Sequence, residues 1–378
     1  MLGPTPIFCL PMELRRLLFT LAVVSLLAFG GHSQAPKYSN EFLSIGVGAR
    51  ALGLSNAFTA LANDATAGYW NPAGLTQIQS NLQLSLMHTQ YFAGIARYDY
   101  GSLAFRSASN SHFAISYIRF GIDDIPDTSE LIDAEGNINY DRIRSFSASD
   151  NAFLISYARP FPGIENLSIG ANAKIIRRTA GSFAGAWGFG LDAGAQYKWN
   201  DWHFAAMARD ITSTFNAWSY DFNDAMREVF TLTGNEIPES SLEITLPRLI
   251  LGAARQFRFG EDFGLLATMD MVITTDGRRN VLIKGDPFSI EPNLGLELSF
   301  RDMIFFRTGM GNIQRYTRDN EKYRTGLQLN MGLGIALGDR LSIDYALTDV
   351  GDQSVALYSN IFSLRFNIDR RERPQPAE

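Results

Sequence analysis

The stretch Trp187-Gly188-Phe189-Gly190-Leu191-Asp192-Ala193-Gly194-Ala195-Gln196-Tyr197-Lys198-Trp199 sorts its residues onto two faces. Trp187, Phe189, Leu191, Ala193, Ala195, Tyr197 and Trp199 fall on one face, and Gly188, Gly190, Asp192, Gly194, Gln196 and Lys198 on the other. Side chains of a β-strand point alternately to opposite sides, so one face of this run suits hydrocarbon and the other suits water. Aromatic residues at both ends suit the two interfaces of a bilayer. The run reads as a transmembrane β-strand.

The same two-residue period recurs from about residue 79 to residue 368, in about fourteen runs. They lie near 81–91, 97–106, 112–120, 151–159, 166–178, 184–199, 202–211, 247–257, 263–274, 293–300, 303–311, 324–337, 340–348 and 360–368. A length of roughly ten residues is what a tilted strand needs to cross a bilayer, and an even count fits a single-chain bacterial barrel. The connections alternate as well. Residues 107–111, 200–201, 258–262, 301–302 and 338–339 are turn-sized, whereas 121–150, 212–246, 275–292 and 312–323 are long and polar. Outer-membrane barrels pair short periplasmic turns with long external loops. The sequence therefore predicts an all-β protein, a transmembrane antiparallel β-barrel of about 14 strands, with both termini periplasmic in a Gram-negative outer membrane and outer-membrane lipid around it.

Composition agrees with that reading. Mean hydropathy is close to zero because alternation dilutes the apolar signal, and beyond the N-terminal region no stretch has the roughly 18 apolar residues of a spanning helix. Of the 33 glycines, Gly188, Gly190, Gly194, Gly326, Gly332 and Gly334 lie in strands, where close backbone approach or an open lumen explains them. The formal net charge of -6 argues against a nucleic-acid partner.

Residues 1–35 read as a secretory signal peptide. Met12-Glu13-Leu14-Arg15-Arg16 precedes the apolar run 17–29, and Ser33-Gln34-Ala35 supplies small residues for cleavage. Met12 competes with Met1 as the start. The one cysteine, Cys9, lies in this segment, so the mature chain is expected to have no disulfide and no cysteine-ligated metal. Residues 369–378 form a polar periplasmic tail after the barrel at 81–368.

Residues 36–80 are not strand-like. Gly46, Gly48 and Gly53 let the chain lie close against a wall, 55–61 reads as a short helix, and Asn71-Pro72 favours a turn before a left-handed Gly74. Gly46-Val47-Gly48-Ala49-Arg50-Ala51 matches the loose dinucleotide fingerprint, but no βαβ unit surrounds it, which excludes that use. The Gly-Ala-Arg-Ala-Leu-Gly stretch at 48–53, Asp64-Ala65 and Trp70-Asn71-Pro72-Ala73-Gly74-Leu75, followed by about fourteen strands, together resemble the PorV/PorQ group of the FadL-like outer-membrane proteins. The resemblance implies that 36–80 is a hatch packed in the lumen, marked by Gly46, Gly48, Arg50, Gly53, Asp64, Trp70, Asn71, Pro72 and Gly74. Arg50 and Asp64 are the charges expected to be buried there, paired with lumen groups.

Chemistry-bearing constellations are scarce. His32, His88, His112 and His203 lack metal-ligand spacing, and no nucleophile elbow or phosphate-binding loop is present, so neither metal, cofactor nor enzymatic activity is expected. Asp123, Asp124, Asp127, Glu130, Asp133 and Glu135 lack the order of a calcium loop and read as a solvated external loop. The 212–246 connection carries Phe215, Trp218, Tyr220 and Phe222, a candidate partner or ligand surface or a cap on the barrel mouth. Two functions stay open. PorV-like proteins imply an adaptor of type IX secretion that binds secreted proteins or secretion-system subunits. FadL-like relatives, which share Gly74-Leu75, imply a channel for long-chain fatty acids or another hydrophobic small ligand. For topology, a protease site inserted in 121–150 or 212–246 is expected to be cut on intact cells, and one at Asn200-Asp201 to be protected; the reverse pattern refutes the orientation.

Overall fold

In a bilayer no water reaches the backbone, so strands whose peptide groups all pair must close on themselves. A computed structural model of the chain shows this closure and describes residues 39–91, 94–107, 110–128, 131, 137–318, 321–350 and 359–369. The predicted signal peptide, Cys9, His32, Glu130, Asp133, Glu135 and residues 370–378 of the tail lie outside the described residues. Sixteen strand segments are present: β1 (Leu82–Tyr91), β2 (Ala96–Arg106), β3 (His112–Asp127), β4 (Arg144–Pro160), β5 (Leu167–Ala180), β6 (Ala184–Trp199), β7 (Trp202–Arg209), β8 (Thr214–Tyr220), β9 (Ser241–Thr245), β10 (Arg248–Phe259), β11 (Phe263–Thr274), β12 (Ser289–Phe300), β13 (Ile304–Arg318), β14 (Glu321–Leu337), β15 (Leu341–Thr348) and β16 (Ser359–Ile368).

They occupy fourteen positions around an antiparallel ring. Neighbours in sequence pair with one another, and β1 closes on β16, with Leu82 opposite Ile368 and Gln90 opposite Asn360. Two positions are split. β7 and β8 follow one another along β6, interrupted where Asp210 and Ser213 take left-handed conformations, and β9 and β10 follow one another across the facing break at Leu246-Pro247. The long hairpins are more regular than the sequence predicts. β3 runs on to Asp127, β4 begins at Arg144, β13 and β14 pair out to Arg318 and Glu321, and the expected 212–246 loop contains β8, β9 and a helix, α3 (Asp224–Leu232). Beyond hydrocarbon both faces of a strand meet water, so the alternation that reveals the spanning part disappears while the ladder continues.

The outer wall carries exposed Trp187, Phe189, Leu191, Leu294, Leu296, Leu298, Leu329, Met331 and Leu333, an apolar belt of the kind hydrocarbon requires. The inner face holds residues 39–80. Two short helices, α1 (Ala49–Gly53) and α2 (Ala67–Trp70), and a 3-10 turn at Pro72–Gln77 pack there with Val47, Ala49, Leu54, Ala65, Ala67 and Leu75 fully buried. The expected helix at 55–61 is instead a series of turns. Ser55 and Asn56 both have positive φ, which stops helix propagation, and the wall takes the backbone N–H groups of Phe58 and Thr59.

Glycines on the inner face set how closely this segment approaches the wall. A Cβ added to Gly309 would lie 2.6 Å from the Ser55 nitrogen, one on Gly295 2.9 Å from the Leu54 Cβ, one on Gly252 3.0 Å from the Ala60 nitrogen, and one on Gly170 2.6 Å from the Ala73 nitrogen. Gly53 and Gly332 meet backbone to backbone, the added Cβ of Gly53 reaching 3.2 Å from the Gly332 Cα. Not every strand glycine serves this purpose: Gly188 and Gly190 clear the side chains of Asn216 and Thr214 on β8, and Gly334 clears the Arg307 guanidinium. Gly309→Ala is therefore expected to lower the thermal midpoint of the folded barrel, whereas Gly101→Ala, whose new methyl meets the Leu86 side chain at 3.6 Å, leaves it unchanged. Equal midpoints would show that the segment yields to the wall.

Candidate functional site

A chain lying in a polar lumen keeps few backbone partners of its own, and its peptide groups must bond to wall side chains or water. Beyond the hydrogen bonds of its own turns and short helices, this segment uses wall side chains. Asp270 on β11 accepts from the N–H groups of Phe58 (3.0 Å) and Thr59 (2.9 Å). Ser363 on β16 accepts from Ala49 N–H at 2.7 Å, and Gln83 on β1 from Ala65 N–H. Carbonyls are met from the other side: Asn172 donates to Gly68 (2.7 Å), Gln196 to Thr59 (2.9 Å) and Ala62 (3.0 Å), Tyr98 to Phe42 (3.1 Å) and Ser102 to Ala65 (2.8 Å). The donors and acceptors come from all round the ring, so the segment is held on every side.

Charges reinforce the hold. Arg50 makes a two-pronged bond to Glu297 on β12, Nε and Nη2 each 3.0 Å from a carboxylate oxygen. Glu297 is shared with Arg307 on β13, which also bonds Asp344 on β15 at 2.6 Å. Asp64 lies 3.3 Å from Arg365 on β16 and accepts from the Thr66 N–H at 2.9 Å. A second cluster brackets the break between β7 and β8: Lys174 bonds Asp192 at 2.7 Å and also Asp210, and Arg248 lies 3.6 Å from Asp210. Beside it Arg209 donates to the carbonyls of Leu43 (3.3 Å) and Tyr69 (3.0 Å), with its guanidinium 4.4 Å from the Tyr69 ring centre.

The residues singled out in the sequence take these places. Gly46 and Gly48 have φ of 102° and 86°, conformations that favour glycine, and Gly48 N–H points at the Met87 sulfur, 3.0 Å away. Trp70 donates its indole N–H to the Val47 carbonyl at 2.9 Å and packs edge-on against Phe58 and Tyr69. Asn71, fully buried, donates to the Ala195 carbonyl (3.0 Å) and accepts from Ala73 N–H, capping the turn that Pro72 opens. Gly74 is not left-handed as expected. It lies inside that turn, where any Cβ would overlap the Ala62 carbonyl oxygen.

The four aromatic residues singled out in the 212–246 connection separate. Phe215 is exposed on the outer face, beside Phe189. Trp218, Tyr220 and Phe222 stack in a row at centre distances of 6.2 and 5.7 Å, continued by Phe183 and Phe230. Trp218 also donates to Glu243 at 2.8 Å, and Arg178 lies over its ring while bridging Asp150 and Glu243. The row fastens the protruding β8–β9 hairpin to the top of β6.

Between the luminal segment and the long-hairpin end of the barrel is a cavity of about 630 Å³. Tyr69, Trp70, Tyr91 and Phe120 border it, and Asn56, Asn293, Asn312, Gln328 and Asn330 supply amides. Sequence reasoning passed over Asp270, Glu297, Arg307 and Asp344. Their signal is parity: Glu297 stands between Leu296 and Leu298, and Asp270 between Met269 and Met271, on the face opposite the lipid-facing residues. Among the described residues no group of three or more His, Cys, Asp or Glu is placed to hold a metal ion.

The fold is one that solved outer-membrane β-barrels share. The structure is similar to the monoaromatic hydrocarbon channel CymD, with a TM-score of 0.52 and 14% identity over 87% of this chain and 99% of that one. It is also similar to the Ralstonia pickettii toluene transporter TbuX (TM-score 0.49, 13% identity, 85% of this chain and 98% of that one) and to a Pseudomonas aeruginosa FadL homologue (0.48, 14%, 85% and 98%). No family model matches the chain, and no curated protein matches it in sequence.

Removing one member of a buried ion network strands the others. Glu297→Ala is expected to destabilise the seated segment by about 3–5 kcal/mol and to raise the small-solute conductance of the folded barrel. Wild-type conductance in a folded variant would show that Arg50 and Arg307 do not hold the segment in place.

Proposed function

We propose that the protein is a small-molecule channel of a Gram-negative outer membrane, with residues 36–80 as a hatch that closes the lumen at rest. The observation that carries this reading is the closure itself: a folded segment seated in the lumen by hydrogen bonds and ion pairs to wall side chains and by apolar packing against them, beside a cavity large enough for a ligand. Polar bonds exchange readily for water, each contributing a net of only about 0.5–1.5 kcal/mol, so that part of the hold is readily remade when a hatch shifts. β1 begins and β16 ends at the rim of short turns, and the rule that such turns are periplasmic supports a periplasmic side for both termini.

The similarity to a monoaromatic hydrocarbon channel supports transport of compounds with an apolar body, as do the aromatic residues around the cavity. We do not carry the type IX adaptor role forward. It rests on sequence resemblance, and three of the four aromatic residues available to bind a secreted protein are engaged in stacking against each other. No catalytic role enters this reading.

A reversible tether tests it. Ala49 and Ser363 are joined by a 2.7 Å hydrogen bond between hatch and wall, so Ala49→Cys with Ser363→Cys is expected to cross-link on oxidation. Cells displaying the cross-linked barrel should lose uptake of toluene and of oleate, and regain it on reduction. Undiminished uptake of both through a fully cross-linked barrel would refute a moving hatch.

A further inference from the structure

A charge on the lipid-facing side of a spanning strand is costly unless something pairs with it. Arg255 is such a charge. On β10 the exposed Leu249 and Leu251 set the outward parity, and Ala253, Arg255 and Phe257 follow at every second position. The guanidinium lies against two rings, 5.1 Å from the centre of Trp202 and 4.8 Å from that of Phe257. Its Nε is covered and bonds to nothing, and among the described residues no carboxylate pairs with the group. Other arginines of the same rim are different: Arg258 pairs with Asp302 at 3.4 Å and Arg301 with Asp262 at 2.8 Å.

The surroundings fix the level of this charge. Trp202 opens β7 directly after the short turn Asn200-Asp201 and faces Arg255 across the ladder, and Gln256 donates its N–H to the Asp201 carbonyl at 3.1 Å. Trp199 pairs with Trp202 on the other side. Tryptophan collects where hydrocarbon gives way to headgroups, so Arg255 stands at the boundary where phosphate is the abundant anion.

From this point a groove of about 570 Å³ runs along the outer wall. Small Ala253, Ala267 and Thr308 line it among the larger Leu294, Leu296 and Met310, and the Thr308 hydroxyl is already satisfied by the Asn330 carbonyl at 3.2 Å. At its other end is Leu329, which lies farther from the short-turn end of its strand at Leu337 than Arg255 does from Phe259. The groove therefore leads from the boundary into the apolar belt, with Trp202, Arg255 and Phe257 at its outer end.

We propose that this groove binds one anionic glycerophospholipid, with an acyl chain along Ala253, Ala267 and Thr308 and the phosphate on the terminal nitrogens of Arg255. Guanidinium and phosphate form charge-assisted, two-pronged bonds, and the two rings hold the fork in place before the lipid arrives. A protein partner would have to carry a carboxylate to the membrane boundary, whereas one phospholipid brings both the anion and the chain. Under the orientation proposed above, the lipid belongs to the periplasmic leaflet. The site is on the outer wall and is independent of any movement of the hatch.

The test compares two lipids with the same chains. The purified barrel in detergent is titrated with dioleoylphosphatidylglycerol and with dioleoylglycerol, which lacks the phosphate, and bound lipid is counted by native mass spectrometry. One phosphatidylglycerol per chain is expected to bind, about tenfold or more tighter than dioleoylglycerol. Arg255→Gln should remove that preference, and Thr308→Phe, which fills the groove on β13 away from the charge, should weaken phosphatidylglycerol binding by about three- to tenfold. Arg258→Gln, at the same rim but outside the groove, should leave it unchanged. Arg255→Lys keeps a point charge without the fork and should weaken binding by about threefold, which tests the site even if the glutamine variant fails to assemble. Equal affinity for the two lipids, wild-type affinity in Arg255→Gln or Thr308→Phe, an equal loss in Arg258→Gln, or a second copy of the chain bound in place of lipid would overturn the inference.

Discussion

Hydrocarbon offers a peptide group nothing to bond to, and every other feature of this chain follows from meeting that constraint. The ladder has to close, which the pairing of β1 with β16 accomplishes. Closure fixes an inside and an outside, and the two-residue period then sends most polar residues of a spanning strand to the lumen. Asp192, Asp270, Glu297 and Arg307 are buried there, out of contact with lipid. A lumen lined with charge needs counter-charges and hydrogen-bond partners, and the N-terminal segment supplies them.

The segment and the wall are therefore mutually dependent. Short helices of five and four residues do not persist alone in water, since helix nucleation is unfavourable. They hold their shape here because Ser363 accepts from the Ala49 N–H, Asn172 donates to the Gly68 carbonyl and Arg209 to the Tyr69 carbonyl, while Asp270, Gln83 and Gln196 serve the turns between them. Conversely, without Arg50 the carboxylates of Glu297 and Asp344 would share the single guanidinium of Arg307. Glycines make the fit possible, by bringing backbones within reach of side chains that a Cβ would push away. The segment is thus held by polar bonds and by an apolar cluster shared with the wall.

The protruding hairpins obey different physics. Past the apolar belt no lipid enforces alternation, and order comes from ladders continued into water and from local packing such as the Trp218–Tyr220–Phe222 row. The breaks at Asp210–Ser213 and Leu246-Pro247 lie side by side at this transition, pinned by Lys174, Asp192 and Arg248 around the Asp210 carboxylate. These contacts tie the hairpin base to the wall that also carries the hatch.

The sequence by itself determined the barrel: period, strand number and the sorting of short and long connections; it also read 36–80 as a non-strand segment and expected Arg50 and Asp64 to be its buried charges. These are legible because a bilayer imposes its rule residue by residue along each strand. Tertiary structure decided what depends on residues far apart in the chain. The partners of Arg50 and Asp64 are 247 and 301 residues away, and nothing local identifies Glu297 or Arg365. Gly74 read as a left-handed turn residue because glycine suits one, but the crowding that requires it comes from Ala62. The 55–61 stretch read as a helix by propensity, and contacts with the wall at Gly309 and Asp270 turned it into a strained bend. The cavity beside it belongs to no segment, since it exists only where hatch and closed ring face each other.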